Sequence, residues 1–204
     1  MTRISLASAN ADPEGFKEHV REVLAGRNRV EIADARLRCA AVLLPLLFKD
    51  WEWHVAVTQR THNVEHHRGQ ISFPGGACEV YDAGLLATAL RETDEEIGVP
   101  PEAVEVLGAM DDFPTITHFV VTPFVGVMSH PFTYRLNLME VEAVVEVPLS
   151  FFQDPDRVRI EQREHEGQLH DVLFWDYGPY TIWGATARVL KNFLDLILEP
   201  SLSE

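Results

Sequence analysis

Apolar positions recur along this chain with two different periods. Between residues 13 and 26, PEGFKEHVREVLAG places Phe16, Val20, Val23 and Leu24 on one helical face and stops at Gly26. The following RNRVEIADARLR has no period and reads as a connection. Residues 38–48 and 53–59 are then rich in apolar and β-branched side chains and flank the turn KDWE, which predicts a two-stranded hairpin. The first of these runs, CAAVLLPLLF, is interrupted by Pro45 and falls well short of the roughly 20 apolar residues that span a bilayer, so it suits a buried strand. After the polar THNVEHHRGQ and the segment ISFPGG, a helical period returns. It runs from Asp82, a good N-cap, to Ile97, with Gly98 and Pro100-Pro101 to close it. Strands are expected at 104–110, 119–128, 142–147, 158–163 and 172–177, and IWGATARVLKNFLDLIL is expected to end the chain as an amphipathic helix. Helices on both sides of many short strands predict a layered α/β or α+β domain.

The helix over 82–97 is unusual in its charge. On a wheel of about 100° per residue, Leu86, Leu90, Thr93 and Ile97 form a core-facing stripe, and Glu92, Glu95 and Glu96 fall on the far side. Like charges at these spacings repel by roughly a few tenths of a kcal/mol per pair, and acids near a helix C-terminus oppose its dipole. An array that works against stability twice suits a hard divalent cation, which takes carboxylate oxygens and shares substrate phosphates. A solvated acidic face is the plain alternative.

Whole-chain properties narrow the class. The 204 residues are most simply one domain, with an N-terminal helix at 13–26 and a core over 36–195. A net charge of −15 argues against a general nucleic-acid or membrane surface, though a local basic patch or a bound cation can still receive a phosphorylated ligand. The N-terminus lacks a long apolar signal core, and the cytoplasm is expected. Cys39 and Cys78 show neither a disulfide framework nor metal-ligand spacing.

The flanks of the acidic cluster point further. FPGG (residues 73–76) precedes the helix, and RETDEEIGV (91–99) fits R-E-U-x-E-E-x-G-U, where U is apolar and Thr93 is the loose match. This resembles the box of the Nudix hydrolases, which cleave nucleoside diphosphates linked to another group. The resemblance implies a Nudix fold, mixed β-sheet layers sandwiched between α-helices. In its N-terminal half the spacing is one residue longer than the box, and either Asp82 or Glu79 stands for the first box acid. The stretched box, with AVTQRTHNVEHHRGQISFPGG upstream, is similar to the coenzyme A pyrophosphatase branch; Thr58, Arg60, Gly69 and FPGG fall in register. RCAAVLLPL, TPFVG, EVEAVVEVPLSFF and IWGATARVL extend the likeness over about 36–195. Val57 and Thr61 are mild departures from that branch, Glu65 replaces its arginine, and His118 replaces its glycine.

The resemblance assigns roles. Glu92 and Glu96 are expected metal ligands for Mg²⁺ or Mn²⁺, and Glu95 is a shared ligand or the base. Arg91 is expected to orient a box glutamate, and Glu140, with Glu142 as alternative, is the late carboxylate that assists catalysis. Arg60, Arg68, Gly69, Gly75 and Gly76 are expected to meet substrate phosphates, with Arg68 substituting for the base missing at Glu65. His62, His66 and His67 read as an exposed polar loop, His165 and His170 show no ligand spacing, and Trp183 and Gly184 read as packing residues. The implied activity is hydrolysis of coenzyme A or its derivatives to adenosine 3′,5′-bisphosphate and 4′-phosphopantetheine. An ADP-sugar or dinucleotide hydrolase and a non-catalytic Nudix-fold module are the alternatives; the three intact helix glutamates weigh against the module. The expected partner is a small nucleotide of the coenzyme A class rather than nucleic acid or membrane, and a homodimer is left open.

Overall fold

The computed structural model describes residues 2–61, 69–165 and 167–200. In chain order the elements are α1 (Leu6–Ala11), α2 (Pro13–Ala25), β1 (Arg38–Lys49), β2 (Glu52–Arg60), β3 (Ile71–Ser72), β4 (Gly75–Ala77) and α3 (Leu85–Ile97). They continue with β5 (Val104–Ala109), β6 (Phe113–Pro114), β7 (Phe119–Met128), β8 (Val141–Pro148), α4 (Leu149–Gln153), β9 (Val158–His165), β10 (Gln168–Tyr177), β11 (Tyr180–Trp183) and α5 (Gly184–Ile197).

Strand β1 explains its own composition. Its side chains alternate between two cores: Leu44 and Leu46 point to one containing Phe16, Val20, Trp53, Trp175, Leu190 and Phe193. Ala41, Leu43 and Leu47 point to a second with Ala89, Ile97, Phe124 and Val141. A strand buried on both faces reads as an unbroken apolar run. The helices α1, α2 and α5 contribute to the first core, and α3 contributes to the second. The architecture is thus a mixed sheet with helices on both faces.

Pairing along β1 fixes where everything else goes. β1 runs parallel to β7, with Ala41 opposite Thr122, and antiparallel to β4 at Ala40–Val42 and to β2 at Leu46–Lys49. Pro45, which has no N–H, falls where β1 has left β4 and not yet reached β2, so it removes no ladder bond there. β3 continues along the β1 edge of β2 at Thr58 and Gln59, β8 pairs with the opposite edge of β2, and β5 and β6 pair with β7. A separate three-stranded sheet has the order β11-β10-β9.

Several expectations need correction. The helix 13–26 is observed, with Phe16, Val20, Val23 and Leu24 buried as expected. The short α1 was not foreseen; it receives Trp53, whose Nε1 donates to Ala9 O at 3.0 Å. Helix α3 begins after Gly84, and Asp82 does not cap it. The buried arc of α3 is centred on Ala89, Thr93, Glu96 and Ile97, while Leu86 and Leu90 are only partly covered and line an open apolar cleft with Phe124. Glu96 therefore faces the sheet, not solvent. Cys39 and Cys78 form a disulfide, with Cα atoms 5.4 Å apart, because the β1–β4 pairing brings together residues separated by 39 positions. Among the described residues no helix is long and apolar enough to cross a membrane.

Candidate active site

Two glycines of β4 and the inner face of α3 form the centre of the site. Antiparallel pairing with Ala41 and Val42 sets Gly76 and Gly75 in extended backbone against β1. A Cβ on Gly76 would lie 2.5–2.7 Å from all three atoms of the Glu92 carboxylate, so only glycine leaves that carboxylate its place. On Gly75, with φ +150°, a Cβ would collide with the Ala41 carbonyl. The Gly75 N–H instead donates to Glu96 Oε2 at 3.3 Å.

Glu96 is 2% exposed. Its partners are long: the Gly75 N–H and, at 3.4 Å, Arg60 Nη1 on Oε1. Burial first, then the nearby charges of Glu92 and Glu140, push its carboxyl up to about 8, against the pull of Arg60 and the Gly75 N–H. Glu92 is also raised, mainly by burial; Arg91 opposes this, and Glu95 and Glu140 add to it. A buried carboxylate beside two others and held only by long bonds is costly to ionise. A cation among them would remove that cost. The donor set, all oxygen, suits Mg²⁺ or Mn²⁺. Among the described residues no three acids, histidines or cysteines converge into a ready-made cage, so such a cation would take water and substrate oxygens as well.

Arg91 holds the outer side. Its Nε and Nη2 donate to the two oxygens of Asp82 at 2.8 and 3.0 Å, Nη1 donates to Glu92 at 2.8 Å and Glu95 at 3.0 Å, and Nη2 also reaches Ala77 O. A two-pronged Arg–carboxylate contact fixes both position and plane. Asp82 further accepts from the Glu79 N–H and Thr88 Oγ1, and these bonds, with that of Arg91 the largest, hold its carboxyl far below the usual range. Asp82 is thus tied to the arginine, and Glu79 is exposed. Residue spacing alone left these two acids equivalent. Glu95 lies at the rim with its side chain 56% exposed.

Arg60 sits at the end of β2 with its Nε buried and unpaired, and its guanidinium points to Glu96. Gly69 has φ +66°, a left-handed conformation, and its N–H donates to Arg60 O at 3.1 Å. Glu140 is half-buried and its charge acts on both Glu92 and Glu96, whereas Glu142 is exposed. Arg68, with His62, Glu65, His66 and His67, lies outside the described residues. His118 has φ +63°, which explains why a glycine is expected there: the turn needs a left-handed residue. Trp183 stacks on Phe174 at 5.7 Å and opens α5, a packing role.

A mixed sheet between helices, with an acidic helix lying over a glycine pair, defines the class: residues 37–167 match the NUDIX domain, and the chain belongs to the Nudix hydrolase family. Among curated relatives, the uncharacterized Nudix hydrolase NudL of Enterobacter sp. (strain 638) is 38% identical over 155 residues, 76% of this chain and 80% of that protein. NudL of Salmonella newport is 39% identical with the same coverage, 76% and 80%. Among solved structures, the M. smegmatis Nudix hydrolase RenU superposes with a TM-score of 0.48 at 19% identity, over 58% of this chain and 74% of that one. A C. elegans Ap4A hydrolase binary complex gives 0.47 at 15% identity, over 56% and 82%.

Proposed function

We propose that this Nudix hydrolase cleaves the diphosphate of coenzyme A or its derivatives, releasing adenosine 3′,5′-bisphosphate and 4′-phosphopantetheine, with Mg²⁺ or Mn²⁺ as cofactor. The observation that carries the hydrolytic part is the buried Glu96, held only by long bonds and acted on by the charges of Glu92 and Glu140. The substrate class rests on the upstream motif, whose Arg60 points into that centre.

A bound divalent cation would withdraw charge from the diphosphate and acidify an attacking water. Glu92 and Glu96 would hold it, with Glu95 joining from the exposed rim. Glu140, half-buried and acting on Glu96, takes the proton of the water in place of Glu95, which stands at the exposed rim. Arg91, anchored on Asp82, fixes the rotamer of Glu92. Arg60 meets a substrate phosphate and offsets the negative charge around it, and Gly69, Gly75 and Gly76 let backbone approach the phosphates; Arg68 adds a second base. On this reading the chain acts as one Nudix domain on a small nucleotide, not on nucleic acid or a membrane, and works in the cytoplasm. The charge reversal at Glu65 favours a second reading, an ADP-sugar or dinucleotide as substrate.

A hydrolysis panel tests the choice. Coenzyme A, acyl-coenzyme A, NADH, ADP-ribose and dinucleoside polyphosphates are incubated with Mg²⁺ and with Mn²⁺, and products are identified by mass. The highest kcat/KM is expected for coenzyme A or an acyl derivative. Coenzyme A left intact while ADP-ribose or a dinucleotide is cleaved would replace the first reading by the second.

A further inference from the structure

The segment between β7 and β8 docks on the C-terminal end of α3. The Arg135 N–H donates to Ile97 O at 3.0 Å and the Asn137 N–H to Glu96 O at 2.9 Å. From there the chain makes a tight turn built on a single residue. The carbonyl of Asn137 accepts from the N–H groups of Glu140 and Val141, at 2.9 and 2.8 Å. Its side-chain Oδ1 accepts from the Met139 N–H at 3.2 Å, and its Nδ2 donates to Glu140 Oε1 at 3.1 Å. The far side of the turn is tied to the end of β2: the Thr61 N–H donates to Glu140 O at 2.8 Å, and Thr61 Oγ1 to Met139 O at 3.0 Å.

We propose that Asn137 is a positioning residue, whose side-chain amide aims the Glu140 carboxylate at the acidic centre and holds it in register with Glu96. Among the described residues no other group is bonded to that carboxylate. The backbone of Asn137 is bonded to Glu96 itself, so one residue connects the acidic helix to the late carboxylate. The chemistry favours an amide here. It offers an acceptor to Met139 and a donor to Glu140, and it is neutral, so it adds no charge to a crowded anionic site. The orientation of a general base toward its water is a geometric requirement, and a carboxylate free to rotate meets it only part of the time. The inference rests on the assignment of Glu140 as the base.

Asn137→Asp separates positioning from mere support of the turn. Aspartate keeps the acceptor for the Met139 N–H and removes the donor to Glu140; Asn137→Ala removes both. With coenzyme A and, in parallel, ADP-ribose as substrates and Mg²⁺ present, both variants should lose about ten- to a hundredfold in kcat, with KM within about threefold of wild type. In a Glu140→Gln background, Asn137→Asp should change kcat by less than about threefold, because the group it positions is already gone. Two readouts need no turnover. Mn²⁺ affinity, followed by electron paramagnetic resonance, should not fall in Asn137→Asp, whose added negative charge attracts a cation. The Asn137 side-chain amide signals of metal-free ¹⁵N-labelled protein should shift on Glu140→Gln. The proposal is overturned if Asn137→Asp turns over like wild type while Glu140→Gln is impaired, if its loss is equal in both backgrounds, if Mn²⁺ affinity collapses, or if the amide signals stay put. Failure of the base assignment would look different: Glu140→Gln itself would retain wild-type kcat, and the positioning role would fall with it.

Discussion

Replacing Glu96 by glutamine perturbs a carboxylate that the fold buries almost completely. In the metal-free protein its carboxyl is pushed up to about 8, chiefly by burial and then by Glu92 and Glu140, whereas an ordinary glutamate titrates at 4.5. The folded state therefore keeps a proton that the unfolded chain has lost, and Glu96 lowers stability as the pH rises from about 4.5 through about 8. At about 1.36 kcal/mol for each tenfold change in proton affinity, ionisation at pH 9 costs at most about 5 kcal/mol, and on the order of 2–3 kcal/mol once side chains and solvent relax. Glutamine has nearly the same shape and keeps an acceptor for the Gly75 N–H, but it never ionises. In EDTA at pH 9 the Glu96→Gln variant should thus melt about 4–12 °C above wild type, and at pH 5 the two should nearly coincide. Using the difference between the two proteins cancels the other titrating groups they share. Millimolar Mg²⁺ at pH 8 should raise the melting temperature of wild type and leave the variant almost unmoved, since a ligand stabilises only the state that binds it. Turnover should fall by orders of magnitude. A melting difference that fails to grow between pH 5 and pH 9, or a glutamine variant that hydrolyses substrate at near wild-type rate, would refute both the buried-carboxylate argument and the ligand assignment.

Reduction of the Cys39–Cys78 bridge, which spans 39 positions, should lower stability by about 2–4 kcal/mol, seen as a lower melting temperature in dithiothreitol than in its absence; Cys39→Ser with Cys78→Ser should remove the difference. Gly76→Ala sets a methyl group where the Glu92 carboxylate lies, so activity should fall at least tenfold while circular dichroism shows a folded protein; wild-type activity would contradict that close approach. Arg60→Ala should reduce kcat/KM for coenzyme A by roughly ten- to a hundredfold, the value of one well-placed Arg–phosphate contact, and by much less for 3′-dephospho-coenzyme A if this arginine meets the 3′-phosphate. Equal losses on the two substrates would move Arg60 from the 3′-phosphate to the diphosphate.

What the sequence determined by itself is whatever short-range pattern can encode. The faces of α2 and α5, the doubly buried β1 and the hairpin to β2 follow from periodicities that hold within a dozen residues, because a helix or strand repeats its environment at a fixed interval. The acidic cluster and the glycine pair were legible for the same reason: they are contiguous and their spacing is peculiar. The tertiary structure decided what depends on partners distant in the chain. The α3 wheel placed the buried face at Leu86, Leu90, Thr93 and Ile97; Thr93 and Ile97 are buried, but packing against β1 and β4 rotates the arc away from Leu86 and Leu90 toward Ala89 and Glu96, because the sheet lies on that side. No local pattern distinguishes Asp82 from Glu79 until Arg91 folds back on one of them. Cys39 and Cys78 meet only through the β1–β4 pairing. The side chain of Asn137 is unremarkable in sequence and gains its place only when α3, β2 and the turn before β8 converge on Glu140, a meeting that depends on chain segments far apart and so leaves no periodic trace.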